Sequence, residues 1–389
     1  MKRRRFLSLL GGAALVPLVH SPTYAGSPDA CAAPLARDDG LAVADVAGTA
    51  QAQRAALCQM ADRLVASAAN IHAVLVVHAG KLLFEHYLSG PDQVPGRFFG
   101  HRTENVTFDA DTLHNMKSVS KSVASLAVGI ALDRGLIRSI DQPIFDFFPE
   151  LSDLRSPDRD RIRLSHVLSM SMGLDWVEAT PATGDFHNDE ARMNMAWDPC
   201  RFVLSRSVKS AAGQEFFYNT GALRLISTII HRASGQHLDE FAHDTLFAPL
   251  GINAVEWLRV RGETDAGGGL RMRPRDMVKI GQLVLAGGRW NDHQIVPKTW
   301  IEMSTAPILK ATDDQSYGYL WWLGRSRFNG HDVPWIGALG RGGQSIRIVP
   351  QLDLVIAVTA GYYQDYSPRA FQLQYSVFRD VVRALLPAH

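Results

Sequence analysis

Strand-forming segments are grouped at the two ends of this chain, and a long helical stretch separates them. Near the N-terminus, residues 71–88, IHAVLVVHAGKLLFEHYL, contain two β-rich runs around a Gly-containing turn, which predicts a hairpin. Three further single strands are predicted in YGYLWWL (317–323), SIRIV (345–349) and LVIAVT (354–359), with a turn at Pro350 to Asp353. Strands from both ends can share one antiparallel sheet with helices against it. We therefore expect an α+β, layered fold in which the helical stretch forms an insertion subdomain.

The helical stretch and the C-terminus carry apolar residues at helical spacing. The pattern runs from Leu223 to Ile230 before Gly235, and again from Met277 to Val284. Residues 367–386 predict a final amphipathic helix whose apolar face is Phe371, Val377, Val381 and Leu385. No internal repeat or low-complexity tract suggests another architecture.

The first 25 residues, MKRRRFLSLLGGAALVPLVHSPTYA, have the layout of a secretory signal, with a basic start, a short apolar run and a small-residue ending. Arg3 to Leu7 resembles the twin-arginine pattern, which is typical of bacterial proteins exported after folding, and a Sec signal is the alternative. No later segment is long and apolar enough to span a bilayer. We predict a signal peptide at 1–25, a lead-in segment at 26–59, one main domain at 60–389, and the periplasm or the medium as destination.

Composition excludes several classes of protein. Hydrophobic residues make up 46% and charged residues 20%, which is ordinary for a globular chain. The formal charge is +1, and it becomes about −3 without the four basic residues at positions 2–5. No basic stripe with interleaved aromatic residues is present, so nucleic acid is not an expected partner. No cysteine or histidine spacing matches a metal motif, so we expect neither a metal nor an organic cofactor.

The three cysteines, Cys31, Cys58 and Cys200, allow one disulfide at most. Cys31 and Cys58 are the favoured pair, because both precede the main domain and the predicted destination is oxidising. Three buried free thiols are the alternative.

One segment, HNMKSVSKSVASLAVGIALDRGL (114–136), places Ser118 three residues before Lys121 at the start of an apolar helix. Residues three apart share a helix face, so both side chains are expected to point into one volume. Burial can lower the pKa of a lysine by about 3 to 5 units, and a fall of about 3 would let Lys121 take the serine proton. The alternative is a purely structural role, in which Ser118 caps the helix and Lys121 is exposed to solvent. Gly135 is expected to end this helix, with Leu136 as its hydrophobic cap contact.

Taken together, several ordered segments resemble the class C-like branch of the serine β-lactamase and penicillin-binding superfamily. That branch contains class C β-lactamases, family VIII carboxylesterases, D-aminopeptidases and 6-aminohexanoate-dimer (nylon-oligomer) hydrolases. The resemblance extends over about residues 60–385, and several motifs in order are more specific than any one. Its pieces are VLVVHAGKLLFEHY (74–87), the Ser118 helix, DQPIFDFFPEL (141–151), IRLSHVLSMSMGLDW (162–176), EFFYNTGALRLISTIIHRASG (215–235), GGLRMRPRDMVKIGQLVLAGGRW (268–290), YGYLWWL and GRGGQSIRIVPQLDLVIAV (340–358).

The resemblance implies catalytic roles at two motifs. Ser118 corresponds to the acylated nucleophile and Lys121 to its paired base. Tyr218, in Tyr218-Asn219-Thr220, corresponds to the tyrosine that shuttles a proton, general acid–base work worth about 10² to 10⁴ in rate. From the residues alone, a tyrosine beside two phenylalanines would more often be plain core.

The resemblance places a third motif at Arg341-Gly342-Gly343, on an inward strand edge beside the nucleophile. Glycines there let a substrate approach the backbone closely, although a bulge or a turn is the alternative for this pair. The two oxyanion donors implied are the backbone amides of Ser118 and Gln344, and loss of one such donor costs about 10² to 10³ in rate.

Two departures from the β-lactamase pattern weaken the case for β-lactam hydrolysis. Position 220 is Thr rather than Asn, and position 341 is Arg rather than Lys. The planar guanidinium of arginine suits carboxylates. Both fit an esterase or amidase better, and the nylon-oligomer hydrolases best. A loop at 177–199 over the site could attract an amine-bearing substrate, although charge-rich loops are usually just solvated. The ionisable residues considered in this loop are Glu178, Asp185, His187, Asp189 and Glu190.

The sequence therefore predicts an exported serine hydrolase that cleaves an ester or amide through an acyl-enzyme on Ser118. A β-lactamase or D,D-peptidase is the first alternative, and a penicillin-binding-like receptor without turnover is the second. The expected partner is a small ester, amide or lactam. The exact substrate and the oligomeric state do not follow from the sequence, because pocket loops decide among many chemistries on one fold.

Overall fold

The computed structural model describes residues 33–44, 50–95, 101–178, 187–365 and 367–386. The predicted signal peptide, Cys31 and Asp185 lie outside these ranges. Within them, no helix combines the length and the apolar character needed to cross a membrane.

Helices and strands alternate along the described part of the chain. The α-helices are α1 (Ala50–Ala66), α2 (Val119–Asp133), α3 (Leu164–Leu168), α4 (Asp189–Met195), α5 (Pro199–Leu204), α6 (Gly221–Ser234), α7 (Leu238–Ala242), α8 (Pro274–Leu285), α9 (Lys298–Ser304) and α10 (Arg369–Leu385). The strands are β1 (Ile71–His78), β2 (Lys81–Tyr87), β3 (Ser89–Pro95), β4 (His101–Thr107), β5 (His114–Asn115), β6 (Val255–Trp257), β7 (Arg259–Val260), β8 (Glu263–Thr264), β9 (Leu270–Met272), β10 (Arg289–Trp290), β11 (His293–Gln294), β12 (Leu309–Lys310), β13 (Gln315–Tyr317), β14 (Trp322–Phe328), β15 (His331–Gly340), β16 (Gln344–Val349) and β17 (Leu354–Ala360).

The central sheet joins the two ends of the chain, as the strand pattern predicts. It has eight strands in the order β12-β13-β14-β15-β16-β17-β1-β2. Strand β17 pairs antiparallel with β1, so that Ile71 faces Ala360 and His78 faces Leu354. The N-terminal hairpin and the C-terminal strands therefore form one surface, and the segment between β2 and β12 is the helical insertion.

The two faces of the sheet bury two separate apolar cores. On β1, the buried side chains alternate between faces, because successive residues of a strand point to opposite sides. Leu75 and Val77 join the larger core with α2, α6 and α8, whereas Val74 and Val76 join the core under α1 and α10. The layered α+β expectation is confirmed. In α10, the expected apolar face holds at its last three positions, but Phe371 is 53% exposed and the prediction is wrong there.

The sequence YGYLWWL does not form one strand. It splits into the end of β13 and the start of β14, with a sharp turn at which Leu320 has φ 66°. Helix α2 fixes this turn, because Ser122 Oγ donates to Leu320 O at 2.6 Å and Ser125 Oγ donates to Tyr319 O at 2.7 Å. These bonds join residues 198 and 194 positions apart, so the local alternation of aromatic residues carries no sign of them.

The N-terminal segment contributes to the folded domain before residue 60. The predicted domain boundary falls inside α1, whose Leu57 and Met60 are fully covered. Cys58 on this helix is disulfide-bonded, and Cys200 is a buried free thiol. The pairing of Cys58 with Cys31 stays a prediction that fits this state. Gly135 ends α2 with φ 70° as expected, but Leu136 is 37% exposed and makes a weaker cap contact than predicted.

Candidate active site

Ser118 is the residue at the N-terminal cap of α2, and the chain just before it is held in an unusual conformation. Lys117 has φ 47°, a left-handed value that costs a non-glycine residue free energy. Its backbone is held at both ends, because Lys117 N donates to Asn115 Oδ1 at 3.0 Å and Lys117 O accepts from Ser120 Oγ. The Ser118 side chain makes no capping bond, so its hydroxyl is left for other partners.

Lys121 points into the same volume as Ser118, as predicted. Its ammonium Nζ lies 3.0 Å from Ser118 Oγ and 2.7 Å from Gly267 O, and the side chain is 2% exposed. Burial acts to lower the pKa of Lys121, but Tyr218, Glu178 and Glu190 outweigh it, so the pKa of Lys121 is raised. This direction is opposite to the fall in pKa that the neutral-amine prediction requires. Desolvation alone would produce such a fall, but the folded site surrounds Lys121 with acceptors and acids from distant segments.

Tyr218 completes the group, and an aromatic wall holds its ring. Lys121 Nζ is 5.1 Å from the centre of the Tyr218 ring, and Tyr218 is among the groups that raise the pKa of Lys121. Trp322 stacks on Tyr218 with ring centres 6.1 Å apart, and Phe216 packs at 6.4 Å. Tyr317, fully buried, packs on both Phe216 and Trp322. The tyrosine is thus presented to Lys121 from a rigid apolar support.

Thr220 and Asn219 serve the architecture of the site rather than its open face. Thr220 donates to Glu178 through both its backbone N–H (2.7 Å) and its hydroxyl (2.9 Å). Asn219 is 3% exposed, and its Oδ1 accepts from Ala222 N at the start of α6. The assignment of Thr220 and Asn219 to substrate binding, which the resemblance implies, stays a prediction, and the Thr220 hydroxyl is already engaged by the Glu178 carboxylate.

The third motif forms the turn between β15 and β16, and this turn lies against Ser118. Gly342 and Gly343 have φ 86° and 101°, so the turn interpretation is the correct one for this pair. At Gly340, a side-chain Cβ would come 2.5 Å from Met116 O and 3.3 Å from Ser118 N, so only glycine allows the turn this close. The Gln344 side chain is buried and bonds Ala360 at both O and N, so only its backbone can contribute to an oxyanion site.

Charged side chains of both signs surround the catalytic group. Lys117, whose pKa is lowered by burial and by Arg341, lies with Lys121 and Arg341 on the cationic side. On the acidic side, burial and Glu178 raise the pKa of Glu190 to about 7. Burial also raises the pKa of Asp265.

The loop predicted at 177–199, called the covering loop below, contributes only some of its predicted residues to the site. Glu178 and Glu190 act on Lys121 by charge. Asp189 does not face the site, since it is buried, accepts from Val177 N at 2.9 Å, and pairs with Arg192 and Arg206. His187 is exposed.

Within the described ranges, two groups of side chains have the donor types and spacing for a metal ion: His72 with Asp92 and His114, and His231 with His237 and Glu263. Neither group contains a residue of the catalytic set.

Fold and site together define a member of a known enzyme class: the chain belongs to the Beta-lactamase family, whose model matches residues 58–370. The 6-aminohexanoate-dimer hydrolase of Paenarthrobacter ureafaciens is 26% identical over 334 residues, 80% of this chain and 78% of that protein. A Bacillus anthracis structure provisionally assigned as a 6-aminohexanoate-dimer hydrolase has a TM-score of 0.66 at 19% identity, covering 84% of this chain and 83% of its own. EstCE1, a hydrolase with promiscuous acyltransferase activity, has a TM-score of 0.65 at 12% identity over 86% and 99% of the two chains. The relatives are hydrolases, and the predicted resemblance is confirmed.

Several residues of the site carry no local sequence signal. Gly267 accepts the lysine hydrogen bond, and a Cβ at this position would lie 2.6 Å from Thr220 Cγ2. Lys117 adjoins the nucleophile without belonging to its motif. Trp322 lies in a segment whose strand boundaries were predicted wrongly. Gly267 is one of three consecutive glycines, and such a run indicates a place where the backbone must come close to another group. Of these residues, it is the one that could have been predicted from the sequence.

Proposed function

We propose that the protein is a serine hydrolase that cleaves an ester or amide bond through an acyl-enzyme on Ser118. One observation carries the proposal: Lys121 Nζ lies 3.0 Å from Ser118 Oγ at the head of a buried helix, within a chain of the Beta-lactamase family. A serine with this partner and an adjacent tyrosine is the arrangement that activates a nucleophile for acyl transfer.

Tyr218, rather than Lys121, takes the serine proton in this proposal. A lysine whose pKa is raised stays an ammonium at neutral pH, and an ammonium that donates to Ser118 Oγ has no lone pair to offer. Tyr218 relays the proton: its oxygen takes the Ser118 proton as its own hydrogen passes toward the leaving group, and the Lys121 ammonium stabilises the negative charge that develops along this path. The Ser118 oxygen bonds the substrate carbonyl carbon in the same step.

The remaining steps return the site to its starting state. Tyr218 gives the proton to the leaving amine or alcohol as the carbonyl–leaving group bond breaks. Water then attacks the acyl group, passes its proton through Tyr218 to Ser118 Oγ, and releases the acid. The backbone amides of Ser118 and Gln344 stabilise the oxyanion in both halves.

The charge of the site favours small substrates that carry charged ends. Arg341 and Lys117 suit a carboxylate, and Glu178 with Glu190 suits an amine. The curated relative is named for an amide dimer of 6-aminohexanoate, whose two ends are an amine and a carboxylate. We therefore place linear amides of amino acids and simple esters ahead of β-lactams as substrates.

A substrate panel on the tag-free protein tests the proposal. Turnover of a p-nitrophenyl ester, 6-aminohexanoate dimer and nitrocefin is compared for wild type, Ser118→Ala and Tyr218→Phe, with Ser376→Ala on the far helix α10 as control. We expect Ser118→Ala to be inactive and Tyr218→Phe to lose about 10² to 10⁴ in kcat. Wild-type rates in Ser118→Ala would refute the assignment. Preference for nitrocefin would favour a β-lactamase, and labelling of Ser118 by a fluorophosphonate without turnover would favour a receptor.

We also propose export to the periplasm by the twin-arginine route, which the Arg3 to Leu7 pattern supports. Fractionation of expressing cells checks this, with lysine replacing Arg3 and Arg4 together. Retention of the double variant in the cytoplasm is expected, and its normal export would contradict the route.

A further inference from the structure

Three buried side chains from separate segments meet behind the catalytic helix. His72 lies on β1, Asp92 on β3, and His114 on β5, four residues before Ser118. Their exposures are 0%, 3% and 0%, and one possible ligand atom from each lies within 4.8 Å of the other two. None of these residues takes part in the proposed reaction.

The hydrogen bonds of His72 indicate where its hydrogen is, whereas those of His114 allow either tautomer. His72 Nε2 contacts Asn70 Oδ1 at 2.9 Å and Pro91 O at 3.1 Å, and both atoms only accept, so Nε2 carries the hydrogen. His114 Nδ1 faces the carbonyl Asn115 O at 3.2 Å and the Tyr363 hydroxyl at 3.4 Å. With its hydrogen on Nδ1, His114 has a lone pair on Nε2 that points at His72.

The inner nitrogens of the two rings face each other. His72 Nδ1 and His114 Nε2 are 2.7 Å apart, and without a metal His114 Nε2–H donates to His72 Nδ1. A metal ion between the rings would take the place of that hydrogen, since histidine binds metals through the lone pair of a ring nitrogen.

Asp92 adds a negative ligand to this pair. Its Oδ1 is buried without a hydrogen-bond partner and lies 3.8 Å from His114 Nε2. The Tyr363 hydroxyl lies 3.3 Å from the same nitrogen. A buried carboxylate oxygen without a donor is costly, so a cation at this point would satisfy Asp92 and, in place of the shared hydrogen, bind both ring nitrogens.

We propose that His72 Nδ1, His114 Nε2 and Asp92 Oδ1 form a binding site for a divalent metal ion of the Zn²⁺ class. Two imidazoles and a carboxylate are a donor set that zinc accepts in a tetrahedral site, with a fourth position beside the Tyr363 hydroxyl. With the ion bound, the outer ring nitrogens would donate to Asn70 Oδ1, Pro91 O and Asn115 O, as the ligating histidines of metal sites do. Zinc–nitrogen bonds of about 2.0–2.1 Å require the two rings to part by roughly 0.6 Å from their 2.7 Å separation.

The ion has a route to the site and a structural consequence there. Asp92 and Gly361 line a surface cleft with Thr103 and Asp365, so an entry path to the buried carboxylate would begin at this cleft. The ligands would tie β1 and the β3–β4 hairpin to the strand that leads into Ser118. The ligand positions, 72, 92 and 114, match no short metal motif, and only the fold brings them together.

Metal binding by the tag-free protein tests this site. The protein is stripped with a chelator, and Co²⁺ and then Zn²⁺ are titrated while the cobalt d–d absorption and the bound metal per chain are measured. Asp92→Asn removes the carboxylate. The matched control is Glu263→Gln, which removes the carboxylate of the partly exposed group with His231 and His237.

We expect wild type and Glu263→Gln to bind one ion with tetrahedral cobalt absorption, displaced by Zn²⁺, and Asp92→Asn to bind it about 10- to 100-fold more weakly. Circular dichroism checks folding of each variant. If Asp92→Asn does not fold, a rise in the Tm of stripped Glu263→Gln on adding Zn²⁺, absent in His72→Gln, decides in favour. No binding by wild type, or loss of the ion in Glu263→Gln alone, overturns the proposal.

Discussion

Glu190 is the residue whose ionisation the site perturbs into the neutral range. Burial and the neighbouring carboxylate of Glu178 raise its pKa to about 7 from an ordinary 4.5, although Lys121 and Arg341 act in the opposite direction. Between these two values the folded protein binds more protons than the unfolded chain, so stability falls as the pH rises. The buried position of Glu190 therefore lowers the stability of the folded protein at neutral pH.

Glu190→Gln should remove this pH dependence. We expect the variant to exceed wild type in Tm at about pH 8 and to match it more closely at about pH 5, because the amide has no charge to desolvate. Thermal unfolding at both pH values measures the difference, with the exposed Glu215→Gln as control. A Glu190→Gln protein that is less stable than wild type at the higher pH would contradict the burial argument.

At this scale, local pattern predicted part of the site. Ser118 and Lys121 were predictable because residues three apart share a helix face whatever the fold. The charge state of Lys121 was not, since it depends on Glu178 and Glu190, and Gly267 reaches it only across 146 positions of the chain. Family resemblance supplied Tyr218, which its own neighbourhood marks only as an aromatic residue.

Helix α2 is the element that links the catalytic group to the sheet. One end presents Ser118 and Lys121, and its middle donates from Ser122 and Ser125 to the carbonyls of the turn between β13 and β14. That turn precedes Trp322, which stacks on Tyr218. The positions of Ser118 and Tyr218 thus both depend on one helix.

Ser125→Ala should destabilise the protein by about 1–3 kcal/mol, because the buried carbonyl of Tyr319 loses its donor. Urea unfolding measures the change. Ser376→Ala is the control, since its hydroxyl bonds only Leu373 O of its own helix and a small effect is expected. Equal losses for the two variants would show that the turn does not depend on α2.

The wrong prediction of a single strand at YGYLWWL comes from contacts that this segment makes with other elements. Period-two alternation of aromatic residues favours a strand, but Gly318 leaves no room for a side chain, since a Cβ would come 2.2 Å from Ser304 O. Helix α9, which precedes the segment, and helix α2, whose contacts span 194 and 198 positions, both hold the chain at this turn. Element existence was predictable here, and element continuity was not.

Across the whole molecule, Arg275 holds the N-terminal segment to the domain. It is 2% exposed, and its guanidinium bonds Asp39, Glu85 and Leu35 O, so one residue of α8 joins the segment at 33–44 to β2. The overall fold was predictable from the sequence because β1 and β17 each have a strand pattern strong enough to be recognised separately. Their pairing then follows because each strand must cover an apolar face.

Arg275→Leu should cost about 3–5 kcal/mol, because it leaves the carboxylates of Glu85 and Asp39 without their cation. Arg289→Leu is the comparison: that arginine is half-exposed and 3.9 Å from Asp292, so its loss should cost less than about 1 kcal/mol. Chemical denaturation of both variants gives the two values. Similar values would mean that the N-terminal segment is not held through Arg275.

The most direct measurement is the mass of the protein during turnover. Wild type is mixed with an excess of p-nitrophenyl ester, quenched in acid within the first turnovers and digested. We predict one added acyl group, on the peptide that contains Ser118, appearing with a burst of p-nitrophenol and absent from Ser118→Ala. Turnover with no acyl group on that peptide, or with the group on another residue, would contradict the account.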